Sequence, residues 1–483
     1  MNYRMVSYYI GRILLIEALL LIFPAIGAII YGEDTLLSFA VTIAALTITG
    51  SLAVRIKPQK TNIYAKDGYA IVALTWILMS LFGALPFYLS GHIPSFTDSF
   101  FETVSGFTTT GSTILSNIEA LPKSLLFWRS FTHWIGGMGI LVFVIAIMPK
   151  AESSSMHVMR AEVPGPTVGK LVSKLRASAR ILYGIYCVLT AVQIIMLVAG
   201  GMPLFDSIVN SFATAGTGGF GVLNNSIEGY NSLYSEMVIA VFMLIFGINF
   251  NLYYMFLIKQ GKQAIKSEEL RWYLGIIAAS VIIIAISLFT TKHDGLAESF
   301  RYAFFQVSSI ITTTGFSTTN FDTWPMIAKF VLVFLMFIGA CAGSTGGGIK
   351  VSRLIILVKS SLRDIRKAIN PRSIETVKID RKTVEEPVVK SVSVFLSTYM
   401  LVMAVSMLII SIDGFDFETT STSVIACMGN IGPGMGAVGP YGNFSDFSMF
   451  SKLVLSFDML AGRLELIPML MLFSPYAWSR KYS

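Results

Sequence analysis

Phe107-Thr108-Thr109-Thr110-Gly111-Ser112 is a small, polar, glycine-punctuated phrase set between runs apolar enough to cross a membrane. Similar phrases recur as Thr217-Gly218-Gly219-Phe220, Thr312-Thr313-Thr314-Gly315-Phe316 and Asn430-Ile431-Gly432-Pro433. With Gly111, Gly219, Gly315 and Gly432 as equivalent points, the spacings are 108, 96 and 117 residues. Such a recurrence, each time between apolar segments, predicts four copies of one unit around a shared axis. Each loop offers mainly backbone carbonyl oxygen, and four meeting on an axis would make a cation site. In the second phrase the register stays open between Gly216, counted from Phe212, and Gly219, chosen by the aromatic that follows it.

Composition agrees with a membrane setting. Of 483 residues, 54% are hydrophobic and only 13% charged, against about a quarter charged in soluble domains. The apolar run after residues 1–12 has no small-residue cleavage pattern, so a cleavable signal peptide is not expected. Three scattered cysteines, Cys187, Cys341 and Cys427, make neither a disulfide framework nor a metal site. The net charge of +8 is placed in alternate connections: 55–66, 150–180, 259–271 and 350–390, while 200–236 has no basic residue. That is the positive-inside pattern rather than a nucleic-acid face, and it puts the basic loops in the cytoplasm.

A span needs about 20 mostly apolar residues. Ten runs qualify: 8–31, 36–54, 68–90, 123–148, 181–200, 234–258, 272–291, 326–362, 389–412 and 447–476. Both termini then lie in the cytoplasm. On the outer side, 96–110, 204–217, 297–314 and 418–430 are too short to cross. They predict short amphipathic helices that descend and stop at the glycine phrase. Asp98, Asp206, Glu298 and Asp416 stand near their starts, where an acid complements a helix N-terminus. Irregular backbone at membrane depth is tolerated only inside protein or along a watery cavity, so the loops must face inward. The expected fold is an all-α polytopic membrane protein with four pseudo-symmetric helix–pore loop–helix repeats around one central pore. The repeats are 67–176, 177–266, 267–386 and 387–483, preceded by two extra transmembrane helices in 1–66.

Together these features resemble the Trk/Ktr/HKT superfamily of potassium transporters, most closely its TrkH/TrkG type. The resemblance is carried by the Thr-Thr-Gly of the first loop, Thr217-Gly218-Gly219-Phe220 and Asn430-Ile431-Gly432-Pro433-Gly434. Arg160-Ala161-Glu162 with Pro164-Gly165-Pro166, and Cys341-Ala342-Gly343-Ser344-Thr345-Gly346-Gly347-Gly348, extend it over nearly the whole chain. The two leading spans favour the TrkH type over the shorter Ktr form. The resemblance implies one selectivity filter for K⁺, a homodimer, and regulation by a cytoplasmic ring of TrkA-like nucleotide-binding subunits. It also implies a bacterial or archaeal inner-membrane location and neither enzymatic chemistry nor a covalent cofactor. Glycine at position 111, rather than serine, accompanies potassium preference in such proteins. A sodium-permeable or K⁺/Na⁺ cotransporting relative is the alternative within transport.

A filter replaces the hydration shell of K⁺ with carbonyl oxygens, and glycine reaches backbone angles that let consecutive carbonyls face one way. The filter candidates are Thr109, Thr110 and Gly111; Gly216, Thr217, Gly218 and Gly219; Thr313, Thr314 and Gly315; and Asn430, Ile431 and Gly432. Ordinary outer turns also favour threonine and glycine. Recurrence between membrane-length runs argues for the filter. Asn430 and Ile431 depart from the threonine pattern, so ideal fourfold symmetry is not expected.

Glycine costs about 1 kcal/mol relative to alanine inside a helix. Five glycines fall within residues 339–348, so the eighth span should break there into a polar loop that lines the pore. The resemblance makes this loop a gate, with Gly343, Ser344, Thr345, Gly346, Gly347, Gly348 and Lys350 as its candidates. A phosphate-binding P-loop is excluded, because Ile349 separates glycine from lysine and no βαβ context exists. Arg463 lies in the last span, where an arginine costs roughly 2.5–3.5 kcal/mol and needs a partner. Glu465 is two residues away and does not face it on a helix. Carbonyls freed by the broken eighth span are the other choice, and a bracing or plugging role for Arg463 is what the resemblance implies. Snorkelling to the inner surface is the plain alternative.

His133 and Asp458 are candidates for a proton relay, though lone membrane histidines also serve packing. An intramembrane enzyme would need a nucleophile and base, or paired aspartates, and the spans hold no such set. The basic segment 360–387, with Arg363, Arg366, Lys367 and Arg372, fits either the regulatory ring or anionic lipid.

Overall fold

A computed structural model of the chain describes residues 1–56, 64–139, 175–292 and 295–478. Among them the backbone is helical. Strand is confined to a hairpin of Lys378–Ile379 with Lys382–Thr383 and to one bridge between Ile338 and Ile349. Helices follow from the composition, because apolar surroundings leave a segment to satisfy its own N–H and C=O groups.

The chain opens with Tyr3–Leu20 and Ile22–Tyr31, packed against Leu36–Arg55. The two strokes meet backbone to backbone. A methyl added to Gly11 would lie 2.8 Å from the Gly50 carbonyl oxygen, and one added to Gly50 would lie 2.9 Å from that of Gly11. Small residues bring membrane helices this close, and dispersion between the backbones holds them.

A fourfold order follows: long helix, short helix, glycine turn, second helix. The long helices are Ala65–Gly83, Leu175–Ala199, Glu268–Lys292 and Glu386–Ile410. The short ones are Phe96–Phe107, Leu204–Gly216, Leu296–Ile311 and Phe417–Gly429, each with an acid in its first turn. Asp416 is the N-cap of the last, and its bond with Thr419 holds its carboxyl below the usual carboxylate range. The second helices are Lys123–Gly137, Leu233–Phe246, Met326–Phe337 and Met449–Arg463. Each packs on the short helix of the next group: Lys123–Gly137 on Leu204–Gly216, Leu233–Phe246 on Leu296–Ile311, Met326–Phe337 on Phe417–Gly429. Met449–Arg463 then packs on Phe96–Phe107 and closes the circuit.

Six helices of the described residues are long and apolar enough to cross a membrane, and they coincide with six of the ten expected spans. The other four expected spans are the second helices, and each stops partway. Leu233–Phe246 turns by 88° into Phe250–Leu257. Met326–Phe337 gives way to residues 338–350 before Val351–Ile369 begins. Met449–Arg463 ends at the left-handed residues Glu465 and Leu466, and Lys123–Gly137 ends short of the expected 148, which lies outside the described residues. Only the break after Met326–Phe337 announces itself by a glycine run.

Overpacking a tight helix contact costs about 1–3 kcal/mol. Gly50→Leu therefore lowers the unfolding temperature of detergent-purified protein by several degrees in scanning fluorimetry, whereas Ser51→Leu, on the exposed face, leaves it unchanged.

Candidate functional site

Every short helix is closed by the same pair of backbone bonds. The amide of Thr109 donates to the Gly106 carbonyl at 3.1 Å and that of Thr110 to Ser105 at 2.9 Å. The matching pairs are Thr217 to Thr214 and Gly218 to Ala213, Thr313 to Ile310 and Thr314 to Ser309, and Asn430 to Cys427 and Ile431 to Ala426. This is the Schellman closure, in which the residue after the cap turns left-handed. Thr109, Thr217, Thr313 and Asn430 accordingly have φ of +56°, +56°, +59° and +55°. Asparagine tolerates that conformation, but a β-branched threonine is strained there by about 1–3 kcal/mol. All four side chains are buried, and strain of that size persists only where the surroundings over-determine it.

Two residues further on, Gly111, Gly219, Gly315 and Gly432 have φ of +85°, +77°, +86° and +102°. The shared pattern fixes the register left open by the sequence. Gly219 stands with the other three glycines, and Gly216 is the last residue of its helix, aligned with Thr108, Thr312 and Gly429.

The four turns touch in a cycle. A methyl added to Gly111 would lie 2.1 Å from the Gly218 carbonyl oxygen, and one on Gly219 would lie 2.0 Å from that of Thr314. One on Gly315 would lie 2.1 Å from the Ile431 oxygen, and one on Gly432 2.8 Å from that of Thr110. No side chain fits between neighbouring turns. The four glycines line one cleft, whose described lining residues include no carboxylate. Behind it stand four helix C-termini, each carrying roughly half an elementary negative charge. The cleft therefore presents main-chain oxygen and helix-end potential, with the Arg129 guanidinium on its wall held by Glu102, a chemistry suited to a monovalent cation that exchanges its water for carbonyls.

Buried side chains set the turns. His133 Nδ1 lies 2.7 Å from the Gly106 carbonyl oxygen, and the Phe220 amide donates to Nε2 at 3.3 Å. A carbonyl only accepts and an amide N–H only donates, so the neutral ring with its proton on Nδ1 satisfies both. His133 thus ties the end of the first short helix to the second turn. Among the described residues no hydrogen bond joins it to Asp458, whose carboxylate accepts from Ser406 at 2.8 Å. Glu102 and Arg129 form a buried ion pair at 2.6 Å. Glu102 also accepts from the Thr113 hydroxyl and the Ile114 amide, while Arg129 donates to the Gly221 carbonyl and covers the Phe220 ring. The pair therefore fixes the outgoing limbs of the first and second turns. In the fourth turn the Asn430 side-chain Nδ2 donates to Thr110 Oγ1 at 3.0 Å and to the Met459 carbonyl at 2.9 Å.

Residues 338–350 lie directly against two of these turns. The Gly347 amide donates to Thr313 Oγ1 at 2.7 Å, and a methyl on Gly347 would meet Asn430 Cβ and the Gly429 carbonyl, both at 2.8 Å. The segment also fills the break in the second group: the Cys341 amide donates to the Gly247 carbonyl and the Thr345 amide to that of Phe246. Carbonyls left over at a helix end are supplied with donors in this way. Arg463 donates to the Thr345 carbonyl at 2.8 Å and to those of Gly136 and Gly137, at 2.5 and 2.8 Å. Its partners are carbonyls, as the freed-backbone alternative expected, but two of them come from the first group. Glu465 instead accepts from Arg353 at 2.6 Å. Lys350 donates to the Gly346 carbonyl within the segment.

Filter and gate candidates from the sequence are thus contiguous in space. The sequence carries no signal for Glu102, Arg129 and Glu269; for His133 it leaves a proton relay and a packing role open, and the bonds place the ring as a bridge between two turns. The Arg160 and Pro164 motifs lie outside the described residues.

Six helices of the described residues with membrane-spanning length and apolarity define a multi-pass membrane protein. The sequence profile of TrkH, described as a cation transport protein, matches residues 37–482, and the chain belongs to that family. It is 36% identical to the Trk system potassium uptake protein TrkH of Salmonella typhimurium, with 99% of this chain and 100% of that one covered. It is 33% identical to TrkG of Escherichia coli strain K12, with 98% of each covered. The crystal structure of the potassium transporter TrkH from Vibrio parahaemolyticus superposes with a TM-score of 0.89 at 32% identity, covering 99% of this chain and 100% of that one.

Breaking a buried ion pair by removing one partner costs about 3–5 kcal/mol, whereas replacing both by apolar groups is often neutral. Arg129→Met alone therefore lowers the melting temperature sharply, and adding Glu102→Met recovers most of the loss. Equal melting temperatures for the single variant and the parent would remove the pair from the account.

Proposed function

We propose that the protein takes up K⁺ across the bacterial cytoplasmic membrane through a channel-like pore, with the four glycine turns as its selectivity filter. The observation that carries this is the cyclic contact of Gly111, Gly219, Gly315 and Gly432 with the carbonyls of neighbouring turns. Names of the relatives support K⁺ as the ion. Thr109, Thr110, Thr217, Gly218, Thr313, Thr314, Asn430 and Ile431 supply the remaining filter backbone. Gly216 supports the second turn from its helix end. The four groups 67–176, 177–266, 267–386 and 387–483 are pseudo-symmetric repeats around the pore, and 1–66 stands outside it. The basic loops and both termini face the cytoplasm, in line with the positive-inside pattern.

Segment 338–350 is the gate. It abuts the third and fourth turns, and Arg463 brings a positive charge, and Lys350 a further donor, to its carbonyls. Positive charge below a ring of carbonyls opposes cation passage until the segment moves. Regulation comes from a TrkA-like nucleotide-binding ring on the cytoplasmic side, and the working unit is a homodimer.

Expression in a K⁺-uptake-deficient bacterium restores growth on low potassium. Excess K⁺ abolishes labelled Rb⁺ uptake and equal Na⁺ does not, whereas equal competition by both ions would favour a sodium-permeable transporter. Gly315→Ser loses the rescue, because its side chain would strike the Ile431 carbonyl. Arg463→Ala leaks K⁺ from liposomes without any regulatory subunit, and unchanged basal flux in folded protein would overturn the plug.

A further inference from the structure

The base of segment 338–350 is held from outside by the Gly247 carbonyl, which accepts from the Cys341 amide, and by one carboxylate oxygen that reaches both limbs. Its two limbs are joined to each other by backbone bonds: Gly339 to Ile349 at 2.8 Å, Ile349 to Phe337 at 3.3 Å and Val351 to Ala340 at 3.2 Å. Beyond them, Glu269 Oε1 accepts from the Ala342 amide at 2.7 Å and from the Ser352 amide at 3.1 Å. Ala342 lies just before Gly343 and Ser352 in the first turn of the Val351–Ile369 helix, so one carboxylate grips the chain on both sides of Gly343–Gly348. Glu269 is in the first turn of the Glu268–Lys292 helix, an element to which the segment does not otherwise belong.

The neighbouring residue faces a different partner. Glu268 pairs with Lys359, and its amide donates to Asp380 Oδ1 at 2.7 Å while the Asp380 amide donates back to its carboxylate at 3.3 Å. Asp380 lies in the turn of the Lys378–Thr383 hairpin, and Lys359 also donates to the Lys378 carbonyl. A single helical turn therefore carries the base of the segment on one residue and the hairpin on the next.

We infer that Glu269 is a latch: a positioning residue that keeps the two limbs of segment 338–350 in their closed arrangement. It acts through the backbone amides of Ala342 and Ser352 and touches no transported ion. Glu268 gives the same turn a mechanical link to the hairpin, so displacement of the hairpin is felt at the latch before it reaches the glycine turns. The inference rests on the segment being the gate.

Cys341, buried in the segment, reports its release. In protein whose Cys187 and Cys427 are replaced by alanine, a hydrophilic thiosulfonate reagent applied from the basic-loop side modifies Cys341 slowly. Losing a hydrogen bond to a charged group is worth on the order of tenfold in an equilibrium. Glu269→Ala therefore raises both Cys341 labelling and basal Rb⁺ flux by about tenfold. Glu269→Gln keeps an acceptor oxygen and stays within about twofold of the parent. Should the alanine variant fail to fold, Glu269→Asp, which withdraws the oxygen by one methylene, moves both readouts in the same direction. If Glu269→Ala and Glu269→Asp label and conduct like the parent while Arg463→Ala leaks, the latch is wrong and the gate stands. If Arg463→Ala is silent as well, the gate itself is wrong.

Discussion

Backbone groups without a partner cannot remain in hydrocarbon, where each costs several kcal/mol. Most of what is unusual in this molecule follows from that constraint at the places where helices stop. The four short helices end in Schellman closures that return their last carbonyls to their own turns. The second helices stop halfway and need donors from elsewhere. Gly136 and Gly137 receive them from Arg463, Phe246 and Gly247 from segment 338–350, and Phe337 from the Ile349 amide. The irregular segment and the charged side chain are thus the complements of broken helices, and their placement against the glycine turns follows from where those helices end.

The same bonds explain how strain survives at the centre. Three left-handed threonines would relax in an isolated turn. Here two backbone hydrogen bonds close each turn, burial excludes competing water, and bridges such as His133 and the Glu102–Arg129 pair clamp the neighbouring limbs.

Local properties were legible in the sequence. Apolar run length gave the uninterrupted spans, and the recurring glycine phrase marked the four turns to within a residue or two. The second turn was ambiguous because Gly216 and Gly219 are both glycines. Only the left-handed φ at Thr217 and Gly219 separates them. Three of the four helix breaks were illegible, since Gly247 or Glu465 in an apolar run carries no signal until the partner that replaces the lost bonds is known. For the same reason the sequence points to only part of the carbonyl set that Arg463 meets. Gly136 and Gly137 lie in a run that looks continuous. Glu102 and Arg129 carry no sequence signal, because an acid on a short helix and an arginine in a span become a pair only after folding brings together positions 27 residues apart.

The cyclic contact of the glycine turns has a consequence for how the molecule tolerates change. Each turn is both wall and neighbour, so a bulge in one quarter is handed round until all four must yield. Lesions in different quarters therefore do not add: the first already disorders the ring, and the second finds little order left to remove. A lineage drifting at these positions would have to alter several quarters together or none.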